Sequence, residues 1–229
     1  MEWTIDSIRF HENPIINKSF HEKIKELSLT FEVLIPSVTC DYFMENPFWK
    51  ANYSEVLRNM KKLISSMPSV GAFLLVIPLV DNSSLVNNEK DVLAFFEMLY
   101  DDLIENKIQI AFELDLNPTR TLNFIDLFDS RYFGINYDIG NSASLGFDPE
   151  EEIASYGYRI KNVHVKDRIL GGKTVPLGEG HADFGKVFGL LNNLNYTGNY
   201  ILQTARPADG NDYKAMRKYS NLTRAYLGK

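Results

Sequence analysis

Several features are scarce in this sequence, and each absence narrows the range of functions. Cys40 is the only cysteine, so no internal disulfide can form, and the composition is typical of a reducing cytoplasm. We expect Cys40 to be a small buried residue at a strand end rather than a nucleophile. The N-terminus has neither the basic segment nor the apolar segment of a signal peptide. The longest apolar run, 72–79, is too short to cross a membrane.

Positive charge is also scarce. The chain has 24 lysines and arginines against 30 aspartates and glutamates, which gives a net charge of -6. This balance repels a phosphate backbone and disfavours general nucleic-acid binding. No G-x-G-x-x-G follows an apolar run, and no phosphate-loop motif is present. We therefore expect a small-molecule ligand, with neither nucleic acid nor a membrane as partner.

Short apolar runs alternate with helical patterns along the chain. The runs are apolar almost throughout, as parallel strands buried on both faces are; they lie at 31–38, 72–77, 108–114, 134–137, 160–165 and 200–202, with a further short candidate at 2–5. The helical stripes recur every three or four residues and indicate core packing; two are Val56, Met60, Leu63, Met67 and Val92, Phe96, Leu99, Leu103.

Helix starts are marked by Asn117-Pro118 and Asp148-Pro149, where a capping side chain precedes proline at the first helical position. Glu150, Glu151 and Glu152 follow the second of these, and we interpret them as helix-start electrostatics rather than as catalytic groups.

The repeated strand–helix alternation predicts an α/β fold with a parallel sheet and outer helices. We prefer a closed barrel to an open sheet, because polar residues end strand after strand and such ends converge on one mouth in a barrel. With about seven strands, the prediction is a (β/α)8 TIM-barrel type that lacks its first β/α unit. No linker or repeat interrupts residues 1–229, which predicts a single domain.

Four polar residues end the last four predicted strands: Glu113, Asp138, His164 and Gln203. Two carboxylates and an imidazole suit Mn²⁺, Mg²⁺, Co²⁺ or Zn²⁺. Such an ion can polarise a carbonyl and stabilise an enediolate while a carboxylate moves a proton. The alternative is that each residue separately braces its own strand end; three ionisable residues on consecutive strand ends favour the site.

Two long stretches resemble a known family. They are YDIGNSASLGFDPEEEIASYGYRIKNVHVKDR and VPLGEGHADFGKVFGLLNNLNYTGNYILQTAR. The motifs D-x-G-N, H-V-K-D and G-E-G-x-x-D-F, in that order, resemble the xylose-isomerase-like TIM barrels. These are sugar and sugar-phosphate isomerases and epimerases, with endonuclease IV as a distant relative. The resemblance is strongest from about 113 to 206 and is not specific for a substrate.

The resemblance implies a role for individual residues. Glu113 matches a metal-binding glutamate that also acts as acid and base, while Asp138 and His164 match metal ligands. Asn141 falls where the family often places a substrate-contacting histidine or asparagine. The remaining candidates for substrate contact are Lys166, Arg168, His181 and Arg206. Each has an ordinary alternative: a salt bridge to Asp167 or another neighbour for Lys166 and Arg168, a solvated loop position for His181, and pairing with Asp209 or Asp212 for Arg206.

Two features depart from the family pattern. Gln203 stands where the family usually has a glutamate that is both fourth ligand and second base. An amide oxygen can still bind a metal, but the side chain cannot take a proton at neutral pH. The match also places 1–6 at the family's second strand, so the first strand–helix unit is expected to be missing; an upstream start, a truncation and a covering second chain are the three competing explanations. We favour a homodimer contact at the open edge.

Three functions remain in consideration. The leading hypothesis is a divalent-metal-assisted isomerase or epimerase of a small sugar or sugar phosphate, in which Glu113 moves the proton. A non-catalytic binding or scaffold protein is the alternative, because of Gln203 and the incomplete barrel. An endonuclease IV-like phosphodiesterase is disfavoured, since the chain has four histidines and the strand ends near 37–43 and 77–81 contain none.

Overall fold

A computed structural model describes residues 1–50 and 52–228 of the chain. By its internal contacts the chain divides into two compact units, Met1–Leu114 with Phe124–Gly134, and Asp115–Asn123 with Ile135–Lys229. The single domain over 1–229 stays a prediction. No helix in the described residues is long and apolar enough to cross a membrane.

The first unit contains four strands in chain order. They are β1 (Glu2–Ile5), β2 (Ser37–Cys40), β3 (Leu74–Leu79) and β4 (Gln109–Leu114). β1 pairs with β2, β2 with β3, and β3 with β4, and every pairing is parallel. All side chains of β2 and β3 are buried, as expected for parallel strands that are covered on both faces. Cys40 ends β2 and is fully buried, as the sequence predicts, and burial raises the pKa of its thiol.

Helices connect these strands. They are α1 (His21–Phe31), α2 (Tyr42–Glu45), α3 (Tyr53–Ser66), α4 (Glu89–Glu97) and α5 (Tyr100–Asn106). All eight residues of the two predicted stripes are buried, which confirms their core role. The second stripe spans a break, however, because Leu99 lies between α4 and α5.

The predicted strand at 31–38 is largely wrong. Phe31 ends α1, and Glu32 then adopts a left-handed backbone with φ 53°, so β2 begins only at Ser37. Most of the apolar residues before it are exposed, with Phe31 67% and Leu34 76% exposed, although Ile35 is buried. Hydrophobicity alone predicted a strand where the chain only turns. A groove of about 300 Å³ lies beside this segment, lined by Met1, Trp3, Ile24, Leu27, Ser28, Phe31, Val33 and Ile35. The homodimer contact at this edge stays a prediction.

An aromatic cluster in the first unit sets the direction of Glu113. Phe112 packs edge-on against Phe96 of α4 at 5.1 Å between ring centroids, and against Phe133 at 6.0 Å. Because successive strand residues point to opposite faces, Glu113 points away from these helix-facing rings. It is 5% exposed.

The second unit contains most of β5 (Phe133–Asp138), together with β6 (Ile160–Val165) and β9 (Asn199–Leu202), which pair in parallel in that order. Together with β1–β4 they make seven strands in the described residues, which is the number that the sequence predicts. A small antiparallel pair, β7 (Asp167–Arg168) and β8 (Thr174–Val175), is an addition that the sequence reasoning missed.

Five helices accompany the later strands: α6 (Pro118–Ile125), α7 (Ile139–Leu145), α8 (Pro149–Tyr156), α9 (Phe184–Asn193) and α10 (Asp212–Tyr226). The two predicted helix starts are confirmed. Asn117 Oδ1 accepts from the backbone N–H of Arg120 at 3.0 Å, and Asp148 Oδ1 accepts from that of Glu150 at 2.9 Å.

Glu152 differs from the two glutamates before it. It is 3% exposed and accepts hydrogen bonds from three hydroxyls, those of Tyr137 at 2.9 Å, Tyr156 at 2.7 Å and Ser142. Glu152 lies in the first turn of α8, as predicted, but it also has a role that the sequence does not indicate, because its side chain joins β5, α7 and α8 inside the unit. Burial raises the pKa of its carboxyl group above the ordinary value, although the three hydroxyls oppose the shift.

We expect Glu152→Ala to lower the free energy of unfolding by about 3 kcal/mol, since three buried hydroxyls lose their acceptor. Glu152→Gln keeps an acceptor oxygen and should lose much less. A raised folded-state pKa stabilises the fold at acidic pH, and that contribution is lost as pH rises through the folded value. The stability of the wild type relative to Glu152→Gln should therefore fall as pH rises above about 4, the range where an ordinary glutamate ionises. Urea denaturation of all three proteins across this range measures both effects, and a pH-independent difference would contradict the second.

Candidate functional site

Two polar pairs cross from β5 to β6 on one face of the second unit. The strand register places Asn136 beside Asn162 and Asp138 beside His164. The intervening Tyr137 turns to the opposite face, where it contacts Glu152. All four polar residues are buried, with at most 4% exposure. The alternation of the strands therefore puts a carboxylate and an imidazole side by side at their carboxyl ends.

Asp138 is surrounded by groups that favour its ionised form. Its Oδ1 accepts from the backbone N–H of Asn141 at 2.8 Å, which makes Asp138 the N-cap of α7. Its Oδ2 accepts from Lys166 Nζ at 3.1 Å and lies 3.8 Å from His164 Nδ1. Burial by itself raises the pKa of this carboxyl group, but His164, Lys166 and the capping N–H outweigh burial and leave the pKa below its ordinary value.

The imidazole of His164 turns its Nδ1 towards Asp138, 3.8 Å from Oδ2. The amide nitrogen of Asn136 lies 3.1 Å from this atom, and the Asn136 oxygen accepts from the Asn162 amide nitrogen at 2.9 Å. This contact with Asn136 fixes the orientation of the imidazole ring, whose nitrogens are ligands of a kind that a divalent ion accepts.

The donor set fits a divalent ion. Ligand distances near 2.1 Å allow one ion to bridge atoms up to about 4.2 Å apart. Asp138 Oδ2 and His164 Nδ1, at 3.8 Å, satisfy this limit. In the first unit, Glu113 is buried at the carboxyl end of β4. Glu113, Asp138 and His164 are thus all buried, and each offers one ligand atom of a kind that could hold a metal.

The predicted substrate residues Lys166, Arg168 and Asn141 come together around α7. Lys166 pairs with Asp138 rather than with Asp167. Arg168 Nη1 donates to Asn141 Oδ1 at 2.7 Å, while its Nε and Nη2 donate to the carbonyl of Gly172 at 3.1 and 2.8 Å. The side-chain oxygen of Asn141 is therefore the acceptor for the guanidinium of Arg168.

Asp167 holds the loop that carries His181. Its carboxylate accepts three backbone N–H groups, from Gly178 at 2.8 Å, Gly180 at 2.9 Å and Ala182 at 3.1 Å. His181 is exposed, and its Nδ1 accepts from the backbone N–H of Leu170 at 3.1 Å. These contacts assign His181 a place in the loop framework, and its substrate role stays a prediction.

Gln203 and Arg206 follow the last strand. The backbone N–H of Gln203 donates to Val165 at 3.1 Å, one step beyond the pairing of His164 with Ile201. Gln203 lies two residues after Ile201, so it points to the same face as His164. The Gln203 residue is exposed. Arg206 is 92% exposed and lies 4.0 Å from Asp212, one of the two structural partners considered above. Their roles as ligand and substrate contact stay predictions.

Comparison with known proteins identifies the family. A family model described as xylose isomerase-like TIM barrel matches residues 4–222. The chain belongs to this family. The match confirms the barrel-type fold, and it covers nearly the whole chain, including the β1–β3 region where the sequence resemblance is weak.

Solved structures of this barrel type agree with the fold. A xylose isomerase domain protein from Planctomyces limnophilus has a TM-score of 0.76 at 14% identity, with 100% of this chain and 90% of that chain covered. The IOLI protein, solved with a bound zinc atom, has a TM-score of 0.72 at 15% identity, with 98% and 88% covered.

Among curated proteins, an L-ribulose-5-phosphate 3-epimerase, UlaE, of Escherichia coli O1:K1 / APEC is 34% identical over 86 residues. The alignment covers 37% of this chain and 30% of that protein, so the chain spans less than a third of the curated relative that it matches.

Three residues around the candidate site were not predicted from the sequence: Asn136, Asn162 and Asp167. Asn136 lies two residues before Asp138 and Asn162 two before His164, so the strand period alone could have placed both on the same face. Asp167 was treated only as a salt-bridge partner. Its pairing with the glycines of G-E-G needs a turn geometry that the sequence does not reveal.

Gly180 should be indispensable to the Asp167-held loop. A Cβ at this position would lie 2.1 Å from Asp167 Oδ1 and 2.7 Å from the carbonyl oxygen of Arg168. We expect Gly180→Ala to cost about 2 kcal/mol of unfolding free energy and to speed proteolysis of the loop, because overpacked sites must distort. Gly189 on α9 is the matched control, since a Cβ there meets nothing within 4 Å. Gly189→Ala should be neutral or slightly stabilising. Equal behaviour of the two variants in thermal unfolding and limited proteolysis would contradict the claim that Asp167 holds this loop through Gly180.

Proposed function

We propose that this chain is a divalent-metal-assisted isomerase of a small sugar or sugar phosphate, with Glu113 as the group that moves the proton. The observation that carries the proposal is the buried pair of Asp138 Oδ2 and His164 Nδ1, 3.8 Å apart. Family membership and the sugar-phosphate epimerase among its relatives support the reaction class. The substrate, and whether it is phosphorylated, are part of the proposal rather than of the family assignment.

In this proposal Glu113, Asp138 and His164 hold one ion, with Gln203 as a neutral fourth ligand. Mn²⁺, Mg²⁺, Co²⁺ and Zn²⁺ all accept such oxygen and nitrogen donors. When bound, the ion would supply Lewis-acid polarisation of the substrate carbonyl. Asn136 contacts His164 Nδ1 and holds the imidazole ring in place, and the Asn141 N–H fixes the Asp138 carboxylate.

The number of acid–base groups available for proton transfer favours isomerisation over epimerisation. Glu113 as a carboxylate would remove a proton from the hydroxyl-bearing carbon next to the carbonyl and return it to the carbonyl carbon on the same face, while the hydroxyl proton passes to the former carbonyl oxygen. That transfer needs one base. Inverting a single carbon needs a second proton donor on the opposite face, and the amide of Gln203 cannot fill that role. Asn141, Lys166, Arg168, His181 and Arg206 are the candidates that orient substrate oxygens.

A non-catalytic binding protein is the second candidate, and Gln203 is the observation that favours it. Metal analysis of the purified protein separates the two. A stoichiometric divalent ion supports the enzyme, whereas a protein that takes up no metal from saturating Mn²⁺ or Zn²⁺ supports the binding role. The nuclease alternative has no further support, since His164 is the one histidine in the candidate ligand set of the described residues.

Glu113→Gln should lower turnover by about 10²- to 10⁴-fold, the usual contribution of a positioned acid–base group. The assay follows deuterium uptake from solvent into aldose, ketose and pentulose-phosphate substrates, including L-ribulose 5-phosphate. Circular dichroism checks the fold, and Glu97→Gln, an exposed residue on α4, is the control. A Glu113→Gln protein with wild-type turnover would falsify the assignment of Glu113.

Gln203→Glu should restore what the amide lacks. The added charge on the His164 face is expected to tighten Mn²⁺ binding by about tenfold, because a carboxylate attracts the ion where an amide does not. The same variant should form an epimerised product that the wild type does not form. Calorimetry and product NMR measure the two effects, and Gln203→Ala serves as control. Unchanged affinity in Gln203→Glu would remove Gln203 from the ligand set.

A further inference from the structure

Lys166 uses the same carboxylate oxygen that faces His164. Asp138 Oδ1 is committed to the backbone N–H of Asn141, so Oδ2 is the oxygen left for other partners. Lys166 Nζ lies 3.1 Å from Oδ2, and His164 Nδ1 lies 3.8 Å from it. The Asp138 side chain is 1% exposed and that of Lys166 15%, so this ion pair lies well inside the unit.

The path of the lysine depends on Gly140. A Cβ at position 140 would lie 2.8 Å from Lys166 Cγ and 3.0 Å from the Lys166 carbonyl carbon. The lysine stem therefore runs across a position where any side chain would obstruct it. By contrast, Lys186 and Asp148 form an ordinary surface pair, with side chains 33% and 48% exposed. The Lys166–Asp138 contact thus depends on the local structure of the β5–α7 turn, which leaves space for the lysine at Gly140.

An ammonium and a divalent ion on one carboxylate oxygen repel each other. The repulsion is strong where water is largely excluded, because the low local dielectric screens charges poorly. Asp138 and His164 are fixed by the strand pairing and by the cap of α7. Lys166 is the mobile partner, since its flexible stem can carry the ammonium outward to solvent.

We propose that Lys166 is an exchangeable counter-ion of the metal site, so that a divalent ion binds by displacing its ammonium group from Asp138 Oδ2. The inference rests on the proposed function, because it takes Asp138 and His164 as metal ligands. Lys166 then has two effects. It compensates the buried carboxylate when no ion is bound, and it lowers the affinity of the site for the ion.

Calorimetric titration of EDTA-treated protein with Mn²⁺ alone tests the exchange. Lys166→Met removes the charge at similar length, and its Kd should be about tenfold lower than that of the wild type, because no ammonium competes. Lys166→Arg keeps a cation and should bind no more tightly than the wild type. Lys186→Met is the matched control and should leave the Kd unchanged.

Thermal unfolding gives a readout that does not depend on affinity. In EDTA, Lys166→Met should melt below the wild type, because Asp138 loses its buried partner. Saturating Mn²⁺ should raise the melting temperature of Lys166→Met by more than that of the wild type. An equal shift in both proteins would contradict the exchange.

The outcomes distinguish this inference from the function on which it rests. Wild-type binding of Mn²⁺ with equal or weaker binding in Lys166→Met overturns the exchange and leaves the metal site standing. Failure of both proteins to bind Mn²⁺ overturns both. If Lys166→Met does not fold, Lys166→Gln replaces it. In the wild type, ¹⁵N NMR of the lysine ammonium groups, with Lys166→Arg for assignment, should show the Lys166 signal change as Mg²⁺ saturates the site. An unchanged signal overturns the exchange.

Discussion

A carboxylate with 1% of its side chain exposed cannot stay ionised unless nearby groups compensate its charge. Asp138 meets this constraint with a helix N-terminus on one oxygen and Lys166 beside His164 on the other. The arrangement explains why α7 begins directly at the end of β5 and why Gly140 follows so closely. It also concentrates metal-type donors at one strand end.

The strands around Asp138 divide their two faces between support and chemistry. On the helix-facing side, Tyr137 bonds to Glu152, which also ties in Ser142 and Tyr156. On the opposite side, Asn136 holds the imidazole of His164. In the first unit, Phe112 and Glu113 show the same division, since the ring packs into the aromatic cluster and the carboxylate turns away. Alternation along buried strands is therefore sufficient to orient each candidate ligand.

Much of this was predictable from the sequence. Apolar runs located β3, β4, β5, β6 and β9 to within a few residues, and the capping pairs at 117–118 and 148–149 marked two helix starts. The strand predicted at 31–38 was largely wrong because Phe31, Val33 and Leu34 are exposed where the chain leaves α1, which hydrophobicity cannot reveal. The roles of Glu152 and Asp167 inside the fold were not predicted because their partners are hydroxyls and backbone N–H groups brought in by folding. The candidate ligands could be predicted because each lies near the carboxyl end of a strand, whereas the partners that hold Asp138 and His164 depend on cross-strand register.

The central claim is that Asp138 and His164, together with Glu113, bind a divalent ion for proton-transfer chemistry. Anomalous diffraction from crystals grown with Mn²⁺ tests it most directly. The account predicts one strong peak at about 2.2 Å from Asp138 Oδ2 and His164 Nδ1, with Glu113 as a further ligand and the Lys166 ammonium moved away. A Mn²⁺-saturated crystal that shows no peak there, with Lys166 still on Asp138, would contradict it.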